Sequence, residues 1–359
     1  MLRISKLSFP GLGIGEFEVN SEAFSIFGVS IAWYALIITC GMVLAVLYTI
    51  FRAKQIGLTV DDVIDMAIFA IPIGIVGARL YYVITSPESF DSFAEILNIR
   101  NGGLAIYGGI IAGAMAVIGV CLYKKVRFFA FADCCTPGII LAQAIGRWGN
   151  FMNGEAFGSL TDGFFRMGID NSLSYYTFGS AEMVYVHPTF LYESLWNLLG
   201  FVLINLFYKH KKYDGQIFLC VFGWYGLGRM LIEGLRTDSL YIGPFGVLSV
   251  IAAGVILIAA FVCLYNARTL ISCFKAREYK GKTQYTVYAS VAVAFVFAVL
   301  AIMDSALSIT TKIIPALRVS QVLALCIFAV CTVALIYFAI KKPTVDFYFK
   351  SSTKEKERK

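Results

Sequence analysis

Thirteen consecutive positions, Gly146 to Gly158, gather Arg147, Asn150, Asn153, Glu155 and four glycines at the end of a long apolar segment. An arginine at such a place is costly to desolvate and calls for a polar cavity, an ion or an anionic group. The glycines let backbone amides approach a partner closely and relax the limits on φ. A snorkelling arginine beside a glycine-rich loop is the plainer reading, but it leaves the two carboxamides and the carboxylate unexplained. Further along, Arg229, Glu233 and Arg236 stand at i, i+4 and i+7 and share one helical face. A mutual ion pair that makes the helix insertable is the plain alternative here. However, one carboxylate does not neutralise two guanidiniums, and a surplus positive charge suits an external anion. The guanidinium fork fits phosphate oxygens, and Arg147 would add a second fork.

These residues are embedded in a chain built for a bilayer. Its 359 residues are 59% hydrophobic and only 15% charged, with a mean hydropathy of +0.76; a water-soluble domain carries about 25% charged residues. Apolar stretches near the ~20 residues needed to cross a membrane recur at 24–51, 62–84, 103–123, 128–148, 189–208, 215–234, 240–265, 285–303 and 319–340. The expected fold class is all-α: a polytopic integral membrane helical bundle of about seven core spans plus about two carboxyl-terminal spans, with a small extracytoplasmic head segment. The expected organisation is an amino-terminal segment over 1–23 and a membrane core over 24–265 that includes a head segment at 149–188. A basic loop at 266–283, a two-span extension at 284–341 and a basic tail at 342–359 follow.

Clusters at Arg52/Lys54, Lys124/Lys125/Arg127, Lys209/Lys211/Lys212, Arg268 to Lys282 and Lys341/Lys342 fall in alternate connections. By the positive-inside rule they are cytoplasmic, which puts the amino end outside and the carboxyl end inside. The net charge of +7 then belongs with anionic lipid and requires no nucleic acid. Pro10, Gly11, Gly13 and Gly15 interrupt the first residues, so no removable signal peptide is expected there. With two histidines, no Cys-x-x-Cys, and Cys134 adjacent to Cys135, no metal site is expected; no nucleotide or dinucleotide fingerprint is present. The same topology carries Arg79, Tyr107, Arg147 to Gly158, His187, and the Arg229/Glu233/Arg236 face to one outer side, with Tyr34 about ten residues into the first span. Asp61, Asp62 and Asp65 read as helix amino-end charges, and Gly109 with Gly113 as a helix-packing pair.

Four segments together carry a resemblance. They are Gly102-Gly103-x-x-x-Tyr107-Gly108-Gly109, the Gly146–Gly158 block, His187-Pro188-Thr189-x-Leu191-Tyr192-Glu193, and Arg229-x-x-x-Glu233-x-x-Arg236. In this order the chain resembles the prolipoprotein diacylglyceryl transferases, bacterial plasma-membrane enzymes, over about residues 20 to 265. The resemblance implies transfer of the diacylglyceryl group of phosphatidylglycerol to the lipobox cysteine thiol of a prolipoprotein signal peptide. A thioether forms and glycerol phosphate leaves, with no cofactor. It also implies roles for Tyr34, Tyr107, Asn150, Glu155, Arg229 and Glu233 in catalysis. Arg147, Asn153, Gly154, Gly158, Arg236, Arg79 and His187 would bind substrate. Arg147 and Arg229 would hold the phosphate, Glu155 and Glu233 would orient those guanidiniums, and the glycines would allow close backbone approach.

Two departures stand out. Many members place histidine where this chain has Tyr107, and a tyrosine of pKa near 10 is a poor base near neutrality. Tyr107 could instead orient the thiol while a carboxylate, water or His187 takes the proton. The two spans after residue 284 extend beyond the family core, and they are expected to add no group to the outer-face motifs. A transporter would place charged residues near the midplane in related halves, and no such repeat is present. Another phosphatidylglycerol-dependent transferase is the nearer alternative.

Overall fold

The computed structural model describes residues 4–86, 90, 92–99, 102–180, 182–237 and 319–341. Nine helices are defined among them: α1 (Trp33–Ala53), α2 (Val60–Thr85), α3 (Phe93–Leu97), α4 (Ile106–Tyr123), α5 (Phe128–Met152), α6 (Ser172–Phe178), α7 (Thr189–Phe207), α8 (Gln216–Glu233) and α9 (Val319–Lys341). Six short strands accompany them: β1 (Ile4–Phe9), β2 (Ile14–Asn20), β3 (Glu22–Ile26), β4 (Val29–Ala32), β5 (Met167–Asp170) and β6 (Val184–Val186). The protein is mostly helical. Five helical stretches among the described residues are long and apolar enough to cross a membrane: Trp33–Ile56, Val60–Thr85, Ile106–Tyr123, Phe128–Met152 and Thr189–His210. The expected spans at 240–265 and 285–303 lie outside the described residues, whereas α9 coincides with the one expected at 319–340.

Two compact units divide the chain, one of Met42–Ile139 and the other of Leu2–Gly41 with Ile140–Lys359. In the first, α2 opens with a capping box: the Thr59 side chain accepts from the Asp62 amide, and Asp62 accepts from the Thr59 amide. Asp62 and Asp65 also hold Lys124 at 2.8 and 2.5 Å and keep its ammonium above the usual lysine range through those hydrogen bonds. These aspartates thus organise a helix end, as the sequence suggests. Small residues carry the α2–α4 contact. A Cβ on Gly109 would lie 3.4 Å from Ala78, and one on Gly113 would lie 3.5 Å from the Ala70 carbonyl. Both are ordinary contact distances; the close backbone approach falls on Gly77 and Gly108, where an added Cβ would run into the Gly108 and Gly77 carbonyl oxygens respectively.

In the second unit, β1, β2, β5 and β6 form an antiparallel sheet of order β2-β1-β5-β6. β1 pairs Lys6 with Asp170 and Ser8 with Gly168, so the amino-terminal segment and the 149–188 segment are one folded head. Leu7, Phe9, Val19, Phe157, Met167, Ile169, Val186 and Phe190 form its core. The apolar run read as a first span at 24–51 is not one helix. It begins as the β3–β4 hairpin, and α1 starts only at Trp33, so the division placed at residue 23 falls inside β3.

Helices α7 and α8 of this unit are clasped by two tryptophans. Trp196 and Trp224 stack with centroids 4.4 Å apart. Each indole Nε1 donates to the other's backbone carbonyl, at 3.1 Å from Trp196 and 2.9 Å from Trp224. Each ring also lies over a glycine of the opposite helix, Trp196 over Gly228 and Trp224 over Gly200. On another side of α8, Gly223 and Gly226 admit α9, with Gly226 against the Ala324 carbonyl and Phe328. The Gly223-Trp224-Tyr225-Gly226-Leu227-Gly228 run is therefore two packing faces in one helix.

Candidate active site

Arg147 and Asn150 are helical, because α5 continues to Met152 instead of ending before the glycine-rich block. Three residues apart, they share a face, and Arg147 Nη1 donates to Asn150 Oδ1 at 3.3 Å. Asn150 Nδ2 and Asn153 Nδ2 both donate to Glu155 Oε1 at 3.1 Å. Gly154 (φ 58°) and Ala156 (φ 56°) bracket Glu155 in left-handed conformations. Such a conformation is strained for alanine and marks a loop held by its surroundings. Asn171 holds this loop to the head, donating to the Gly154 carbonyl at 2.8 Å and to Ser5 Oγ at 2.9 Å. The Thr189 hydroxyl holds it from α7 by donating to the Ala156 carbonyl.

Glu193, one turn into α7, joins this group to α8. Its Oε2 lies 2.6 Å from Arg147 Nη2, and its Oε1 lies 2.9 Å from both Arg229 Nη1 and Arg236 Nη1. Arg229 Nη2 continues to Glu233 Oε2 at 2.5 Å. One connected network therefore runs from Asn153 through Glu155, Asn150, Arg147 and Glu193 to Arg229, Arg236 and Glu233. The expected surplus of positive charge is absent from it: Arg147, Arg229 and Arg236 are matched in number by Glu155, Glu193 and Glu233. Accessibility differs, however. The Glu193 and Glu233 side chains are 6% and 2% exposed, against 22% for Arg147 and 18% for Arg229. The Glu193 and Glu233 side chains are sealed inside while those of Arg147 and Arg229 keep part of their surface exposed, and each of those arginines has N–H groups beyond the ones spent on these partners.

Tyr34, on the first turn of α1, adjoins the network. Its ring packs against the backbone of Gly149, where an added Cβ would lie 2.7 Å from Cδ2. Gly149→Ala should thus lower catalytic activity about tenfold by displacing that ring, although alanine favours the helix by ~1 kcal/mol. Activity lost at unchanged thermal stability is the expected result, and unaltered turnover would show that Tyr34 tolerates the shift.

The remaining sequence candidates fall elsewhere. Gly154 approaches Ser5 and Asn171, and Gly158 is wedged against His187, Thr189 and the Leu235 carbonyl; the close approach each permits is to the protein itself. Gly158 also bridges to Arg236 and donates its amide to the His187 carbonyl at 2.9 Å. The His187 imidazole meets Tyr192 Oη at 3.3 Å, so its link to the network is through the backbone. Arg79 and Tyr107 belong to the other compact unit. Arg79 donates to the carbonyls of Ile96, Gly102, Gly103 and Glu95 at 2.7–3.1 Å, which makes it an anchor for the end of α3 and for the glycine pair before α4. Tyr107, 45% exposed, stands at the start of α4.

Sequence reasoning did not single out Glu193 as a site residue, although it is the hub. A carboxylate within an apolar helix asks for a cationic partner, and three arginines against fewer assigned carboxylates asked for another anion. Ser194 was missed as well; it accepts from Trp148 Nε1 at 3.2 Å and donates to the Ala144 carbonyl at 2.8 Å, tying α5 to α7 beside the Arg147–Glu193 pair.

Comparison with known proteins then decides the lineage. Residues 21–265 match the family described as prolipoprotein diacylglyceryl transferase. The chain belongs to this family. It is similar to the phosphatidylglycerol–prolipoprotein diacylglyceryl transferases of Clostridioides difficile (44% identity, covering 65% of this chain and 90% of the relative) and Enterococcus faecalis (47%, 62% and 82%). That of Clostridium botulinum strain Langeland is 43% identical, covering 69% of this chain and 97% of the relative. As a prolipoprotein diacylglyceryl transferase family member, the protein is a membrane transferase of lipoprotein biosynthesis. Every residue of the network from Arg147 to Arg236 lies inside the matched region.

Proposed function

We propose that this chain transfers the diacylglyceryl group of phosphatidylglycerol to the lipobox cysteine of a prolipoprotein signal peptide at the Arg147–Glu193–Arg229 network. The cysteine sulfur attacks the carbon of the diacylated glycerol that bears the phosphate ester. A carbon–sulfur bond forms, the carbon–oxygen bond breaks, and its electron pair leaves on glycerol phosphate. Most of the barrier is charge, on the departing phosphate and on the thiolate. The observation that carries the reading is the contrast between the sealed Glu193 and Glu233 side chains and the partly exposed side chains of Arg147 and Arg229 that they orient: a fork already held by Glu193 can offer its remaining N–H groups to phosphate oxygens without reorganising. Asn150 and Asn153 position Glu155, which becomes the candidate acceptor for the thiol proton. Arg236 and Glu233 complete the charge balance.

Alternating basic connections support a multi-pass plasma-membrane protein with its amino end outside and its carboxyl end cytoplasmic. Right-side-out vesicles supplied with phosphatidylglycerol and an impermeant lipobox peptide test chemistry and side together. The expected result is a diacylglyceryl mass increase on the peptide cysteine. No mass increase, in these vesicles or in detergent, would refute the reaction; an increase in detergent alone would refute the orientation.

Tyr107 stands where many members of the family place histidine, and its hydroxyl is suited to orienting the thiol or the headgroup. Being half exposed, the ring has little packing to lose. Tyr107→Phe should lower activity at unchanged abundance, and Tyr107→His should retain part of it, since imidazole hydrogen-bonds and titrates near neutrality. Wild-type activity in Tyr107→Phe would assign the tyrosine to packing.

A further inference from the structure

The β3–β4 hairpin is amphipathic, and its apolar face is uncovered. Its register pairs Phe24 with Ile31 and Ile26 with Val29 on one face, and Ser25 with Ser30 on the other. Phe24, Ile26 and Val29 are 41–48% exposed, and Phe27 at the tip is fully exposed. Phe27 and Gly28 both take positive φ, 50° and 76°, the pattern of a two-residue turn that favours Asn-Gly. Holding a phenylalanine there costs about 1–2 kcal/mol relative to ordinary backbone, and in water it gains no burial in return. The hairpin forms its own two-stranded sheet, separate from the head sheet.

What covers this face follows from the chain itself. No charged residue occurs from Ala23 to Phe51, a run that holds both the hairpin and nearly all of α1. Ala32, the last residue of β4, leads directly into Trp33, the half-exposed first residue of a helix long and apolar enough to cross a membrane. Strands of four and five residues at ~3.3 Å per residue keep the tip within about 17 Å of that helix end. Tryptophan at a span terminus marks the headgroup level.

We infer that the β3–β4 hairpin lies in the membrane interface, with Phe24, Ile26, Phe27, Val29 and Ile31 inserted among the acyl chains and Ser25 and Ser30 facing the headgroups. The occupant of the face is the lipid bilayer. This gives the chain an in-plane contact continuous with its first span, and it fixes the depth of the opening turn of α1. That turn carries Tyr34, so the hairpin sets the level at which a lipid headgroup meets the network; this last step alone rests on the proposed reaction.

The test is spin-label depth in phosphatidylglycerol-containing nanodiscs, using full-length protein without native cysteines and single Phe27→Cys or Ser25→Cys substitutions. Both positions are exposed, so neither substitution removes a packed contact. The expected result is a shift toward oxygen and away from an aqueous nickel chelate at position 27 relative to position 25. Equal nickel accessibility at the two positions overturns the inference. So does shielding of position 27 from both relaxants, which would report a protein partner on the face. A further variant keeps the hairpin and removes only the lipid contact: Phe27→Asn supplies the residue that the turn prefers. Read from a label at Ile26→Cys, it should raise nickel accessibility, and an unchanged value counts against insertion. None of these readouts uses activity, so failure of the transferase reading would leave them intact.

Discussion

Glu193→Gln should abolish most transferase activity and destabilise the protein together, and it is the largest effect the structure leads us to expect. The amide keeps the shape and removes the charge on which Arg147, Arg229 and Arg236 converge at 2.6, 2.9 and 2.9 Å. Removing one partner from a buried ion network costs about 3–5 kcal/mol, and for a chain of this size each kcal/mol lowers the melting midpoint by about 2–4 °C. Activity should fall at least ~100-fold, because the guanidiniums that would meet the phosphate lose their orientation. Stability and activity are separable in a double variant. Glu193→Gln combined with Arg236→Gln removes one charge of each sign, so it should recover part of the midpoint and little of the activity. If Glu193→Gln alone kept both near wild type, Glu193 would be a bystander to the arginines.

Arg147→Lys should cost about 10²–10³-fold in turnover at normal abundance, the scale of losing one preorganised donor to developing charge. Two separate nitrogens of Arg147 reach Asn150 and Glu193, and in the proposed reaction the remaining N–H groups would be those offered to substrate. A lysine has one nitrogen and no fixed plane; it keeps the charge but cannot meet two partners in those directions and a phosphate as well. Arg229→Lys should behave alike but more mildly, since Arg236 also contacts Glu193 Oε1. Near-normal turnover of Arg147→Lys would reduce Arg147 to a point charge. Comparing kcat with KM for phosphatidylglycerol separates orientation from simple attraction.

Much of the site could be read from the chain because its parts are local. Arg147, Asn150, Asn153 and Glu155 lie within nine positions, and Arg229, Glu233 and Arg236 fall on one face by helical spacing alone. The hub was less legible, since Glu193 meets Arg147 across 46 positions and Arg229 across 36, distances that only helix packing closes. Charge counting would have asked for such a residue without saying which one. The head sheet was hidden for a similar reason: β1 pairs with β5 more than 150 residues away, and strands of three to seven residues show little periodicity of their own. Hydropathy also misled over residues 24–32. A bilayer-facing hairpin and the helix that follows it are equally apolar, so the run read as a single span. Arg79 shows the converse, a costly charge whose donors meet backbone carbonyls that its own sequence neighbourhood does not reveal.

The tryptophan clasp makes the alignment of α7 and α8 an all-or-none property. Trp196 and Trp224 are related by an approximate local two-fold, each holding the other's carbonyl and each filling the other's glycine notch. Sliding one helix by a turn, about 5.4 Å, would break both bonds and drive both rings into side chains at once, with no intermediate stop. Glu193 stands three residues before Trp196, and Arg229 immediately follows Gly228. The electrostatic alignment of the hub is therefore written a second time, in steric form, one turn deeper. Bulk can be exchanged across this interface only in matched pairs: a larger residue at Gly200 requires a smaller one at Trp224, and one at Gly228 requires the same of Trp196.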